Sequence, residues 1–209
     1  MNQTLDEFMS LAWIGDAEYQ GLDDVIRAIA EGTRQVQNQV QAAGLTDILG
    51  ATGDINVQGE IVQRLDSKGS EIFVDELSSC ARVAAVGSEE LAEPVIVRDS
   101  ADQSYLVLMD PVDGSSNIDV AVSIGSIFGI WRRKTGDPVT GNSLLRPGKE
   151  QVAAAYVVYG SSTILVIATH NSVQGFTLDP ELDVFALTHP NIQIPKKCAY
   201  YSINESNFK

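Results

Sequence analysis

Positive charge is scarce in this chain. Lysine and arginine together number 14 against 28 aspartates and glutamates, which leaves a net charge of −14. Without a basic patch there is no electrostatic means of holding a nucleic-acid backbone, so nucleic acid is excluded as a partner. Cysteine is scarcer still. Cys80 and Cys198 form neither a C-x-x-C pair nor a zinc spacing. Two isolated thiols suit a reducing compartment, with core packing as their role. The two histidines, His170 and His189, lie far from any Ser or Cys elbow and read as surface or turn residues. Long apolar runs are missing: the strongest, 163–169, falls far short of the roughly 20 residues that span a bilayer, so no membrane partner is expected. The acidic amino terminus has no basic n-region and no apolar h-region, which predicts a cytoplasmic protein. Internal repeats and low-complexity segments are also missing.

What is present is a globular composition. Hydrophobic residues make up 44% and charged residues 20% of 209, enough for one domain, or for one domain and the start of another. The acidic excess serves solubility, and some of its carboxylates are candidates for holding divalent cations.

Periodicity sets out the elements. Leu22, Val25, Ile26, Ile29, Thr33, Val36 and Val40 recur at steps of three and four and predict a helix over 22–43, with Gly44 just past its end. A second helix is predicted over 59–77, burying Ile61, Leu65, Ile72, Phe73 and Leu77, with a loop at 50–54 between the two. Strands are predicted over 83–86, 105–109, 120–131, 152–159, 163–168, 176–178 and 184–188, with tight turns at Gly160-Ser161-Ser162 and Asp179-Pro180. Residues 134–149, polar and rich in Gly and Pro, predict an exposed loop. Trp13 and Trp131 read as packing residues, and Arg132-Arg133-Lys134 as a solvated strand end in which Arg132 is placed to meet a ligand or a subunit. Two helices followed by a run of strands predict an α+β fold, layered helices on a largely antiparallel mixed sheet.

One stretch carries chemistry: Asp110-Pro111-Val112-Asp113-Gly114-Ser115-Ser116-Asn117-Ile118-Asp119. It follows an apolar strand. Proline cannot continue the ladder, so the chain must turn between Asp110 and Asp113 and can aim both carboxylates at one point. Hard oxygen ligands at a strand end suit Mg²⁺. Gly114-Ser115-Ser116 offers successive backbone N–H groups to an anion. Local turn chemistry explains the same residues without any ligand. A second acidic pair, Glu89-Glu90, follows another apolar run, and two acidic strand ends can meet at one edge of a sheet.

Asp-Pro-x-Asp-Gly at a strand end resembles the Li⁺-sensitive, Mg²⁺-dependent phosphatases. The longer form through Asp119, together with Gly87-Ser88-Glu89-Glu90, 123–130, 156–160 and Tyr201-Ser202-Ile203-Asn204-Glu205, is similar to the class I fructose-1,6-bisphosphatases, over nearly the whole chain from Leu22 onward. The inositol-phosphatase branch usually has Gly-Thr where this chain has Gly114-Ser115. The resemblance implies Mg²⁺ as cofactor, with Mn²⁺ or Zn²⁺ as substitutes, a sugar bisphosphate as substrate, and a homodimer or homotetramer. It implies Glu89, Asp110, Asp113, the Val112 carbonyl and Glu60 as metal ligands. Asp113, Gly114, Ser115 and Ser116 are then phosphate contacts, Asn204 a substrate contact, and Asp66 and Glu90 the groups that orient and deprotonate the attacking water. On residue type alone Asp66 reads as a solvated helix residue and Glu60 as a cap.

The resemblance also implies a domain over 1–198 and, at 199–209, the start of a second α/β domain that supplies further ligands in relatives. Many members bind AMP at the start of the first long helix; here Asp23 would repel a phosphate, and Ser104 stands where a lysine is usual. The 134–149 loop has no cysteine for redox control. The alternatives are sedoheptulose 1,7-bisphosphate as substrate, another phosphatase of the superfamily, or a shortened non-catalytic relative that binds metal or a partner.

Overall fold

The structure, a computed structural model, describes residues 3–43, 45–46, 49–55, 61–100, 104–134, 136 and 138–198. Three helices lie along one face of an eight-stranded sheet: α1 (Leu5–Ala12), α2 (Leu22–Ala42) and α3 (Arg64–Ser79). Among the described residues ten strands are formed: β1 (Ala51–Ile55), β2 (Ile61–Gln63), β3 (Val83–Ser88), β4 (Val95–Ile96), β5 (Tyr105–Asp113), β6 (Ile124–Arg132), β7 (Gln151–Tyr159), β8 (Thr163–Thr169), β9 (Val173–Asp179) and β10 (Val184–His189). The large sheet runs β10-β9-β8-β7-β6-β5-β3-β4, and β1 pairs with β2 in a separate ribbon. Among the described residues every strand pairing is antiparallel except one: β3 and β5 run parallel, Ser88 beside Met109. The expected α+β class is the one observed.

The α2 stripe behaves as its period requires. Leu22, Val25, Ile26, Ile29 and Val36 are fully buried against the sheet, and Thr33 is buried with them. On this face Val107, Met109, Phe128, Val157, Leu165 and Phe176 complete the core. The opposite face carries a small cluster of Ala84, Ala85, Leu106, Trp131 and Leu144, and leaves Ile127 and Tyr156 about half exposed.

Several expectations are corrected. The second helix starts at Arg64, not at 59: Gln63 and Asp66 form a capping box, and Gln63 N donates to Asp66 Oδ2 at 2.7 Å. The 50–54 loop is largely strand β1, closed by its pairing with β2, whose run of Ile61 and Val62 favours extended backbone. The strand expected from 120 begins at Ile124, because Ser115–Val120 winds as a 3-10 turn that ends at Ala121 in a left-handed conformation. The 134–149 segment is not wholly exposed, since Leu144 is buried under the sheet. Cys80 packs against the core as expected, but Cys198 is exposed. Arg132 and Arg133 are tied down rather than solvated. Arg132 donates to the Glu18 carbonyl at 2.8 Å and to Tyr105 Oη at 3.1 Å, and Arg133 pairs with Asp99. Helix α1 was not anticipated from the sequence; it starts at a Thr4-x-x-Glu7 capping box in which both reciprocal bonds form. Trp131 is buried, Trp13 packs on the core, and both histidines are exposed.

Candidate active site

Parallel pairing puts the carboxyl ends of β3 and β5 at the same edge of the sheet. The Glu89 N–H donates to the Met109 carbonyl at 3.3 Å, which sets Glu89 next to Asp110. The ladder between β5 and β6 then slips. Asp110 faces Ile127 but Asp113 faces Gly125, so three steps on β5 oppose two on β6. The extra residue is a bulge across Pro111 and Val112, the place where a strand tolerates a missing donor. Pro111 and Val112 are buried, Asp110 is half-buried and Asp113 is exposed. The bulge therefore anchors the apolar pair inward and leaves the carboxylates at the rim. Asp110 accepts the Val112 N–H at 3.1 Å, as an Asx turn.

Helix α3 closes the other side. A Cβ built on Gly69 would stand 2.5 Å from Val112 Cγ2 and 3.6 Å from the Pro111 carbonyl oxygen, so only glycine lets the helix approach the turn this closely. Asp66, one turn earlier, is buried rather than solvated. Ser70, one turn after Asp66, meets Ser88 at 3.1 Å, and Ser88 Oγ accepts the Glu90 N–H at 3.4 Å. Glu89 and Glu90 are half-buried.

Electrostatics confirm the crowding. Burial pushes the Asp110 carboxyl up to about 6, and the negative charges of Asp113, Asp66 and Glu90 push in the same direction against the Val112 N–H. Among the described residues no three acidic, His or Cys side chains close into a ligand cage. The donors are all hard oxygens in an open, mutually repelling set. Such a set suits Mg²⁺, which takes one or two carboxylates and completes its shell with water and phosphate oxygens. Past Asp113, Gly114 is left-handed at φ 77° and starts the 3-10 turn from Ser115, whose residues are all partly or fully exposed. Ser115 and Ser116 are thus brought to the same rim. Glu60 and Asn204 lie outside the described residues. What the sequence reading missed is the set of buried hydroxyls behind the rim, Ser70, Ser88, Ser126 and Tyr159.

At the start of α2, Asp23 is engaged by Arg27 at 2.7 Å, and Tyr105 Oη donates to the Gln20 carbonyl at 2.9 Å. Burial pushes the Tyr105 hydroxyl up to about 12.

Helices on one face of a largely antiparallel sheet, with acidic turns at the ends of its two parallel strands, define the sugar-phosphatase type of α+β fold. The chain superposes on the holo form of Leishmania major fructose-1,6-bisphosphatase with a TM-score of 0.91 at 35% identity, covering 99% of this chain and 64% of that one. The T-state of the same enzyme gives 0.83 at 35% identity, with 99% and 63% covered. The particular family follows from the sequence. The family described as fructose-1-6-bisphosphatase, N-terminal domain, matches residues 8–190, and the chain belongs to it. It is 48% identical over 188 residues to a class 1 fructose-1,6-bisphosphatase of Sulfurihydrogenibium sp. (strain YO3AOP1), covering 90% of this chain and 57% of that protein. It is 50% identical over 181 residues to a cytosolic fructose-1,6-bisphosphatase of Oryza coarctata, covering 87% and 53%. The chain therefore spans a little over half the length of the curated relatives it matches.

Proposed function

We propose that this chain carries the metal- and phosphate-binding half of an enzyme that hydrolyses the 1-phosphate of fructose 1,6-bisphosphate to fructose 6-phosphate and phosphate. The observation that carries the reading is the parallel β3–β5 pair, which sets Glu89 and Glu90 beside Asp110 and Asp113 with Asp66 of α3 nearby.

Glu89, Asp110, Asp113 and the Val112 carbonyl are the groups to hold Mg²⁺, with Glu60 as a further ligand. Bound Mg²⁺ supplies Lewis acidity toward the phosphoryl group and lowers the pKa of a water nucleophile. Gly114, Ser115 and Ser116, with Asp113, hold the phosphoryl group at the rim, and their N–H groups meet its developing negative charge. Asp66 and Glu90 orient the attacking water and accept its proton, a role that needs a carboxylate within hydrogen-bond reach of it. Asn204 contacts the sugar. The names of the relatives favour fructose 1,6-bisphosphate over sedoheptulose 1,7-bisphosphate. The chain acts in the cytoplasm within a homodimer or homotetramer. No helix among the described residues is long and apolar enough to cross a membrane.

The test is phosphate release from fructose 1,6-bisphosphate with and without Mg²⁺, with Asp110→Ala as the control. Mg²⁺-dependent release that is lost in the variant supports the proposal. No release from any sugar bisphosphate overturns it and favours a metal-binding relative without catalysis.

A further inference from the structure

Behind the Asp110–Asp113 turn runs a chain of buried hydroxyls. Ser126 on β6 is fully buried on the helix side of the sheet and donates to the Pro111 carbonyl at 2.6 Å. Tyr159 on β7 is also buried, and its Oη lies 3.0 Å from Ser126 Oγ. In the β6–β7 register Ser126 faces Val157, so Tyr159 is its diagonal neighbour two residues along, within reach of an aromatic side chain. Thr33 of α2, also fully buried, gives its own hydroxyl hydrogen to the Ile29 carbonyl at 2.7 Å.

Counting hydrogens fixes the direction. Each hydroxyl has one to give. That of Ser126 is committed to the Pro111 carbonyl, which can only accept. Tyr159 must then donate into Ser126. Both bonds of the Tyr159–Ser126–Pro111 sequence point the same way, toward Pro111. In a dry interior such a sequence strengthens each member by polarising the next. Its last acceptor sits between Asp110 and Val112, in the bulge that aims the acidic groups.

We propose that Ser126 and Tyr159 are positioning residues for the cation turn, holding the Pro111 carbonyl and so the Asp110–Asp113 bulge in register with strands β6 and β7. The inference rests on the metal-site reading above. It is independent of how the sugar is recognised. Removing the Ser126 hydroxyl frees the Pro111 carbonyl from its hydrogen bond to β6. Removing the Tyr159 hydroxyl leaves that tether in place but less polarised, with a smaller effect.

Mn²⁺ binding to the full chain, followed by electron paramagnetic resonance titration, tests this without recourse to activity. Loss of outer partners typically weakens metal affinity about 10–100-fold. Ser126→Ala is expected at the low end, about tenfold, and Tyr159→Phe at about threefold. The double variant should bind no more weakly than Ser126→Ala alone, because Tyr159 acts through Ser126. Thr163→Val serves as the structural control. It removes a buried bond of the same kind, Thr163 Oγ1 to Gln37 Oε1 at 2.5 Å, that joins β8 to α2 away from the turn. That variant should bind Mn²⁺ as the parent does. Equal weakening by Thr163→Val, or parental affinity in both Ser126→Ala and Tyr159→Phe while Asp110→Asn loses binding, overturns the positioning role. Parental affinity in Asp110→Asn overturns the metal site itself and the positioning role with it. If Ser126→Ala does not fold, Tyr159→Phe against Thr163→Val decides the matter.

Discussion

The main-chain N–H of Glu89 donates to the carbonyl of Met109, 3.3 Å away, one step beyond the last paired residues of two parallel strands. That bond makes Glu89 the lateral neighbour of Asp110. Two acidic segments 21 positions apart thereby share one edge, where the charges of Asp113 and Glu90 both oppose ionisation of Asp110. Under the proposed metal reading, a cation at that edge would turn the repulsion into attraction and so couple metal binding to fold stability.

Asp110→Asn tests that coupling. Without metal, the substitution removes a half-buried negative charge from beside Asp113, Asp66 and Glu90. The apo chain should become more stable, by about 1 kcal/mol once solvent screening is allowed for. With Mg²⁺ at millimolar concentration the order should reverse, because the parent gains binding energy that the variant lacks. Thermal unfolding with and without Mg²⁺ reads both signs. A variant that is stabilised by Mg²⁺ as strongly as the parent contradicts the assignment of Asp110.

The same carboxylate sets a pH dependence. Its folded pKa lies at about 6, above the ordinary 3.8. A carboxyl raised on folding contributes stability that is fully present below pH 4 and lost as pH rises through 6. The shift corresponds to about 3 kcal/mol for a fully buried group, and partial exposure reduces this to about 1 kcal/mol. Urea unfolding of the metal-free chain between pH 4.5 and 7 should therefore show Asp110→Asn gaining on the parent as pH rises. A constant difference across that range would place the cause elsewhere.

The fold was legible where one period dominated. Helix α2 followed from its stripe because burial on one side repeats every 3.6 residues. An interruption at Pro111 was legible from its missing donor, but the strand was expected to end at Met109 and instead runs on to Asp113 through a bulge. Strand direction was not legible: an apolar run such as 83–86 reads the same whether its neighbour is parallel or antiparallel, yet the meeting of Glu89 with Asp110 depends on that direction. Ribbon β1–β2 was missed because Gly50 and Gly53 gave a loop composition to a segment stabilised by its partner strand. Ser126 was missed for a related reason. A serine within a strand reads as a solvent-side residue, and only the register against β7 shows that Tyr159 is its diagonal neighbour.

Gly69→Ala probes the contact between α3 and the turn. The new methyl would approach Val112 Cγ2 to 2.5 Å, and Val112 is only 4% exposed, so the turn or the helix must shift. Overpacking of this kind costs about 1–3 kcal/mol, offset by about 1 kcal/mol of better helix propensity. The expected outcome is a stability close to that of the parent with weaker Mg²⁺ binding, since the strain falls on the residues between Asp110 and Asp113. Denaturant midpoints and Mg²⁺ titration, measured on one preparation, separate the two effects. A loss of stability with unchanged Mg²⁺ affinity would mean that the helix, not the turn, gives way.

Asp66 has two jobs open to it, and one substitution separates them. As a cap it accepts the Gln63 N–H at 2.7 Å and starts α3. As a base it takes a proton from the attacking water. An asparagine keeps an oxygen to accept the Gln63 N–H but cannot take up a proton at neutral pH. Asp66→Asn should therefore leave the unfolding midpoint within about 1 kcal/mol of the parent, since the cap survives. Turnover should fall by about 10²–10⁴-fold, the usual worth of a positioned acid or base, with the substrate KM little changed. Asp66→Ala should lose both the turnover and the cap. Wild-type turnover in Asp66→Asn, measured as phosphate release at saturating Mg²⁺, would reduce Asp66 to a helix cap and leave Glu90 as the group that deprotonates the water.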